Sequence, residues 1–187
     1  MEAQSDSVKK VVLPEKRPAL DVSNHVVVTT PRTPKPRVIT QEKRWVLRAE
    51  DYVPERQWKA LFEPSIPEDE KIGSLAKQQI GVKIAGYRAQ DTKNGVYDAE
   101  QFVNLAAVLN LLKTSQMTCF YCRERVQVLY EHVREPHQWT LERLDNSRGH
   151  NTSNVVVACL NCNLRRRCIY HERYVFTKQL RIVKSGV

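Results

Sequence analysis

No stretch of the 187-residue sequence approaches the 18 or so consecutive apolar residues that a membrane-crossing helix requires, so a membrane-spanning class is excluded. The opening hexapeptide, Met1 to Asp6, lacks the basic-then-apolar pattern of a secretory leader. We therefore expect an intracellular, reducing compartment, cytoplasm or nucleus, in place of a secreted disulfide framework. Residues 1–40 lack any sustained apolar period and hold Pro14, Pro18, Pro31, Pro34 and Pro36 among scattered Lys and Arg. They read as a disordered, basic, proline-rich arm in which only Val26-Val27-Val28-Thr29-Thr30 could form a short strand. The cysteine-bearing end of the chain lacks an acidic patch, which argues against a pure protein-interaction scaffold.

What the chain has is positive charge, unevenly spread. The net charge is +9. Residues 41–118 balance 11 basic against 11 acidic side chains, whereas residues 119–187 carry 12 against 6. A basic face of this kind suits a polyphosphate partner, because neutralising phosphates releases condensed counterions. A merely solvated surface is the alternative reading of the same charges.

Residues 41–116 read as a mainly helical accessory region. Pro54, followed by Glu55, fits the first turn of a helix over 54–62. Trp45 and Trp58 fit core anchoring better than base stacking. Ile72, Leu75, Ala76, Gln79, Ile80, Lys83 and Ile84 recur at helical spacing over 71–90, with Gly81 and Gly86 weakening the second half. Lys93-Asn94-Gly95 marks a turn. A second helix is predicted from Asp98, with Gln101 in a capping relation and Phe102, Leu105, Ala106, Leu109 and Leu112 on one face. The segment after Asn163 reads as one helix broken near its middle or as a helix and a strand. Cys168 within it reads as a buried small apolar residue.

Two Cys-x2-Cys pairs, Cys119/Cys122 and Cys159/Cys162, are separated by 36 residues. That spacing reads as a structural zinc site with one ion per chain, since four thiolates supply the tetrahedral shell zinc prefers. Between the pairs, 138–144 and 154–158 have strand character. A loop of turn formers, Asp145 to Ser153, joins them, so the order is knuckle, strand, loop, strand, knuckle, helix. The predicted fold is α+β: a helical N-terminal part packed on a small zinc-bound module, 117–187, with a C-terminal helix or tail.

Cys-x2-Cys, then Trp139-Thr-Leu-Glu-Arg-Leu-Asp-Asn with Gly149-His150, then Asn154-Val-Val and Ala158-Cys-Leu-Asn-Cys-Asn163, resembles the HNH nuclease superfamily. More narrowly, it is similar to the zinc-stapled, treble-clef-like ββα-metal proteins of phages and large DNA viruses. The resemblance covers about residues 117–170. It implies a metal-dependent endonuclease that hydrolyses DNA phosphodiester bonds with one Mg²⁺ or Mn²⁺. By position, Glu142 and Asn163 would hold that ion, and hard oxygen ligands of this kind suit it.

In the family a His follows the acidic residue and activates the attacking water. Here that position is Arg143, which keeps its proton and is left with phosphate clamping or charge stabilisation. His150 is then the leading candidate for the base, ahead of His137 and His132, and Asp145 is a further candidate for base or ligand. Arg143, Arg148, Arg165, Arg166 and Arg167 are candidate nucleic-acid contacts. Other readings of the same residues are a surface ion pair for Glu142, a helix cap for Asn163 and an ordering role in the loop for Asn154. The alternative function is a catalytically degenerate, zinc-containing DNA-binding protein serving transcription, replication or packaging.

Overall fold

The computed structural model describes residues 33–41 and 45–180. Residues 1–32 of the arm expected over 1–40, its strand at 26–30 and the tail beyond 180 lie outside the described residues. From Pro34 onward the described residues group as one compact unit. The class is α+β. No helix among the described residues is long and apolar enough to cross a membrane.

A short α1, Val38–Gln41, and a 3-10 turn, Ala49–Tyr52, precede α2, Pro54–Phe62. Pro54 opens α2 where an intrahelical donor is not needed, and Glu55 favours the positive end of the helix dipole. Then α3, Pro67–Lys93, starts with Glu68, Asp69 and Glu70 in its first turn. It continues unbroken through Gly81 and Gly86, where the expected weakening does not interrupt it. Helices α2 and α3 meet closely at Gly73, where a Cβ would stand 2.4 Å from the Ala60 carbonyl oxygen. Only glycine permits this approach without a backbone shift.

The next helix begins later than predicted. Asp98 does accept local N–H bonds, from Glu100 at 3.0 Å and Gln101 at 3.2 Å, but these close a turn. Val103 is then drawn out by donating its N–H to the His150 carbonyl at 3.0 Å. Helix α4, Leu105–Thr114, starts only after Asn104, whose Oδ1 accepts from the Ala107 N–H. Phe102 therefore lies outside the helix whose face it was expected to extend.

Strand β1, Trp139–Arg143, pairs antiparallel with β2, Val155–Cys159, and Trp139 stands opposite Cys159, Leu141 opposite Val157 and Arg143 opposite Val155. Helix α5, Leu160–Arg166, follows β2 directly, and α6, His171–Gln179, follows a break at Arg167, whose φ is +51°. The broken-helix alternative is the one observed. Cys168 falls in the break and is exposed, contrary to the expected burial, because no packed helix face covers that position.

Trp139, Tyr121, Leu141 and Val157 from the cysteine-bearing module share a core with Ile80 from α3 and Leu112 from α4. Trp45 and Trp58 pack half-buried against it, as expected of core anchors. Besides shared apolar contacts, buried Gln57 ties α2 to this module through hydrogen bonds. Gln57 Oε1 accepts from the N–H groups of Val128 and Leu129 at 2.8 and 2.9 Å, and its Nε2 donates to the Leu129 carbonyl at 2.8 Å.

Candidate active site

The hairpin and α5 bring the four cysteines together. Cys119 and Cys122 sit in a tight knuckle, Cys159 ends β2, and Cys162 lies in the first turn of α5, its N–H donating to the Cys159 sulfur at 3.4 Å. All four sulfurs lie within 4.8 Å of one another, and those of Cys122 and Cys159 are 3.9 Å apart. A tetrahedral zinc–thiolate shell, with bonds of about 2.3 Å, has sulfur–sulfur edges of about 3.8 Å. The donor set therefore fits such an ion. Crowding sets the thiols against one another: the hydrogen bond from Cys159 pulls Cys119 down to about 4, while Cys159 is pushed up and burial pushes Cys162 up to about 12. A bound cation relieves that opposition.

Beside the cluster, a cleft of about 680 Å³ opens between α3 and the β1–α5 face. It gathers Glu142, Arg143, His150 and Asn163, together with Arg166 and Arg167. Asp145, Arg148 and Arg165 lie outside its lining, as do His132 and His137. Asp145 is exposed and accepts from the Ser147 N–H and hydroxyl at 2.9 and 2.7 Å, which hold its carboxyl below the usual range. Arg148 reaches Ser153 Oγ at 3.2 Å. Asn154 orders the loop as expected: its Oδ1 accepts from the Asp145 N–H at 2.9 Å, and its Nδ2 donates to the Asp145 and Gly149 carbonyls at 2.9 and 3.0 Å.

Glu142 is not on a surface strand face; it is 5% exposed and pairs through Oε1 with Nε of Arg166, itself 3% exposed. Burial raises the Glu142 pKa and Arg166 opposes that rise. The other Arg166 nitrogens donate to the carbonyls of Ile169 and Arg143 and to Asn146 Oδ1, at 2.9, 2.7 and 2.7 Å. Arg166 is thus committed inside the protein, and of the three consecutive arginines it is the one withheld from solvent. Asn163 lies within α5, whose N-cap is Cys159, so the cap reading of Asn163 does not hold. Its Nδ2 donates to the Thr140 hydroxyl at 3.1 Å, and that hydroxyl gives its own proton to the Ala158 carbonyl at 2.9 Å. The Asn163 Nδ2 is therefore the atom turned to Thr140, its carbonyl oxygen takes no part in that bond, and the residue lines the cleft.

The opposite wall comes from α3, and sequence reasoning missed it. Lys83 Nζ donates to Gln138 Oε1 at 3.1 Å and to the Trp139 carbonyl, and lies 5.0 Å from the Trp139 ring centre. Burial brings its pKa down to about 7. The Tyr87 hydroxyl accepts from the Leu141 N–H at 3.0 Å, and its ring stacks on His150 at 4.4 Å. Fully buried Asp91 accepts from the His150 backbone N–H at 2.6 Å and meets the His150 Nδ1 at 2.8 Å. Gly149 makes room for this approach, since a Cβ there would stand 2.4 Å from the Val96 carbonyl oxygen and 2.9 Å from Asp91 Oδ2. Two signals pointed to this wall. Lys83, Tyr87 and Asp91 follow one another at i, i+4 spacing, and Asp91 sits in a last helical turn, where an acid opposes the helix dipole.

The fold and site define an α+β unit with a four-cysteine cluster beside a polar cleft. No protein-family model, curated protein or solved structure matches the chain.

Proposed function

We propose that this chain is a zinc-stapled, metal-dependent endonuclease of HNH type that hydrolyses DNA phosphodiester bonds. The observation that carries the reading is that Glu142 and Asn163 line one cleft, with Asn163 following the cluster residue Cys162 directly in α5. Cys119, Cys122, Cys159 and Cys162 would hold zinc as a structural staple joining the first knuckle to β2 and α5. Glu142 Oε2 and Asn163 Oδ1 are hard oxygen donors of the kind Mg²⁺ or Mn²⁺ takes. Such an ion, when bound, polarises the phosphoryl oxygen and stabilises the departing 3′ oxygen.

The remaining work falls to the chain itself. Arg143 and Arg167 present cations to the phosphate within the cleft. A guanidinium offers donors and no acceptor, so Arg143 is no base. His150 is the sequence-predicted base that lines the cleft; Asp145 is occupied in its own turn.

Supercoiled DNA incubated with the protein and Mg²⁺ or Mn²⁺ tests this reading. Conversion to nicked circles supports it, and intact DNA at protein excess contradicts it. One observation favours the second reading, a non-cleaving DNA-binding protein: Arg166 already neutralises Glu142. Salt-dependent DNA binding without nicking, under either metal, is the result that selects it.

A further inference from the structure

We infer that Asp91, on α3 and outside the β1–β2 hairpin, is the positioning residue that makes His150 the general base of the cleft. The inference rests on the nuclease reading above. Asp91 grips His150 at two points, through its backbone N–H at 2.6 Å and its ring Nδ1 at 2.8 Å. With Asp91 as the acceptor of both bonds, the ring proton is held on Nδ1 and the lone pair is left on Nε2. Nε2 is then the unprotonated nitrogen of a residue that is 3% exposed and lines the cleft. Tyr87, stacked at 4.4 Å, fixes the ring plane. The charged and titratable groups around the ring are Asp91 and Tyr87 from α3 and Arg143 from β1, whose Nη1 lies 3.9 Å from Asp91; Lys83 and Glu142 line the same cleft. Burial and Arg143 favour the neutral ring, Asp91 opposes them, and the balance lowers the His150 pKa, which leaves the ring free to accept a proton while reducing its basicity.

In the resulting step a water oxygen bonds to phosphorus while its proton passes to His150 Nε2. The bond from phosphorus to the 3′ oxygen breaks, and that oxygen takes a proton from solvent. Water and a phosphodiester thus become a 5′-phosphate and a 3′-hydroxyl, and the imidazolium returns its proton to solvent.

Asp91→Asn separates orientation from architecture. The amide oxygen can still accept from the His150 N–H, but the NH₂ group faces Nδ1 and drives the ring proton to Nε2. We expect nicking of supercoiled DNA to fall about 10²- to 10⁴-fold, the usual share of a general base. Zinc content and far-UV circular dichroism should be unchanged, and the His150 ¹⁵N shifts should report the opposite tautomer from wild type. In His150→Ala, added imidazole should restore part of the lost nicking. If wild-type protein nicks DNA and Asp91→Asn nicks equally well, the dyad is wrong and the nuclease reading stands. If wild-type protein does not nick, the nuclease reading fails and takes the dyad's catalytic role with it. Should Asp91→Asn fail to fold, the wild-type ¹⁵N spectrum decides: a proton on Nδ1 supports the inference, and a proton on Nε2 overturns it.

Discussion

Nε of Arg166 donates to the carboxylate of Glu142, and both side chains are buried. Three further hydrogen bonds from the same guanidinium reach Ile169, Arg143 and Asn146, so one side chain joins α5, β1 and the loop between the strands. Removing one partner of a buried pair strands the other charge, at a cost of about 3–5 kcal/mol. We expect Arg166→Met to lower stability by that amount in urea unfolding, and Glu142→Leu combined with Arg166→Met to recover most of it. A loss under about 1 kcal/mol in the single variant would show that the pair carries little.

The cysteine cluster makes a prediction about composition. Elemental analysis should find one zinc per chain, and strong chelators should abolish cooperative unfolding, because ligand binding and folding are one process in small thiolate modules. Cys162→Ser should bind the ion more weakly. A cooperatively folded, metal-free protein would refute the staple.

Lys83 supplies a pH test. Burial lowers its pKa from 10.5 to about 7. Between those values the unfolded chain binds the proton and the folded chain does not, so stability rises with pH across the window. Its contribution is complete above the unfolded value and is lost as pH falls through about 7. The difference in urea midpoint between wild type and Lys83→Met should therefore grow in favour of wild type from pH 6 to pH 9. A constant difference would mean that Lys83 keeps its ordinary pKa beside the rings of Trp139 and Tyr130, whose centres lie 5.0 and 5.3 Å from its Nζ.

Gln57 tests how firmly α2 is tied to the cysteine-bearing module. Gln57→Leu keeps the bulk but strands the N–H groups of Val128 and Leu129, which are bonded at 2.8 and 2.9 Å in the folded protein. We expect a loss of about 3 kcal/mol, at the upper end for an unsatisfied buried group, measured by thermal or urea unfolding. An unchanged midpoint would mean that water replaces the amide.

Local patterns made much of the architecture legible. Proline and acid placement located α2, β-branched runs and turn formers located the hairpin, and cysteine spacing located the cluster. What stayed hidden depends on contacts distant in sequence. Periodicity gave α3 an apolar stripe, but Asp91 meets His150 across 59 positions, and no local rule reports such a pairing. The start of α4 was missed for a similar reason, since the Val103 bond to His150 holds extended a segment whose own pattern favours helix. Helical spacing puts the three arginines after Asn163 on more than one face, but only packing commits Arg166 to Glu142 while leaving Arg165 exposed.

The most direct test of the proposed function compares wild-type protein with Asn163→Ala on supercoiled DNA in Mg²⁺ or Mn²⁺. Asn163 carries no charge and lies on the half-exposed side of α5, so its loss should leave zinc content and folding intact. We expect wild-type protein to yield nicked circles and Asn163→Ala to nick at least about 10²-fold more slowly, as for removal of a group acting directly on the reacting centre. Equal nicking by both proteins, or none by wild type at protein excess, would contradict the proposed nuclease site.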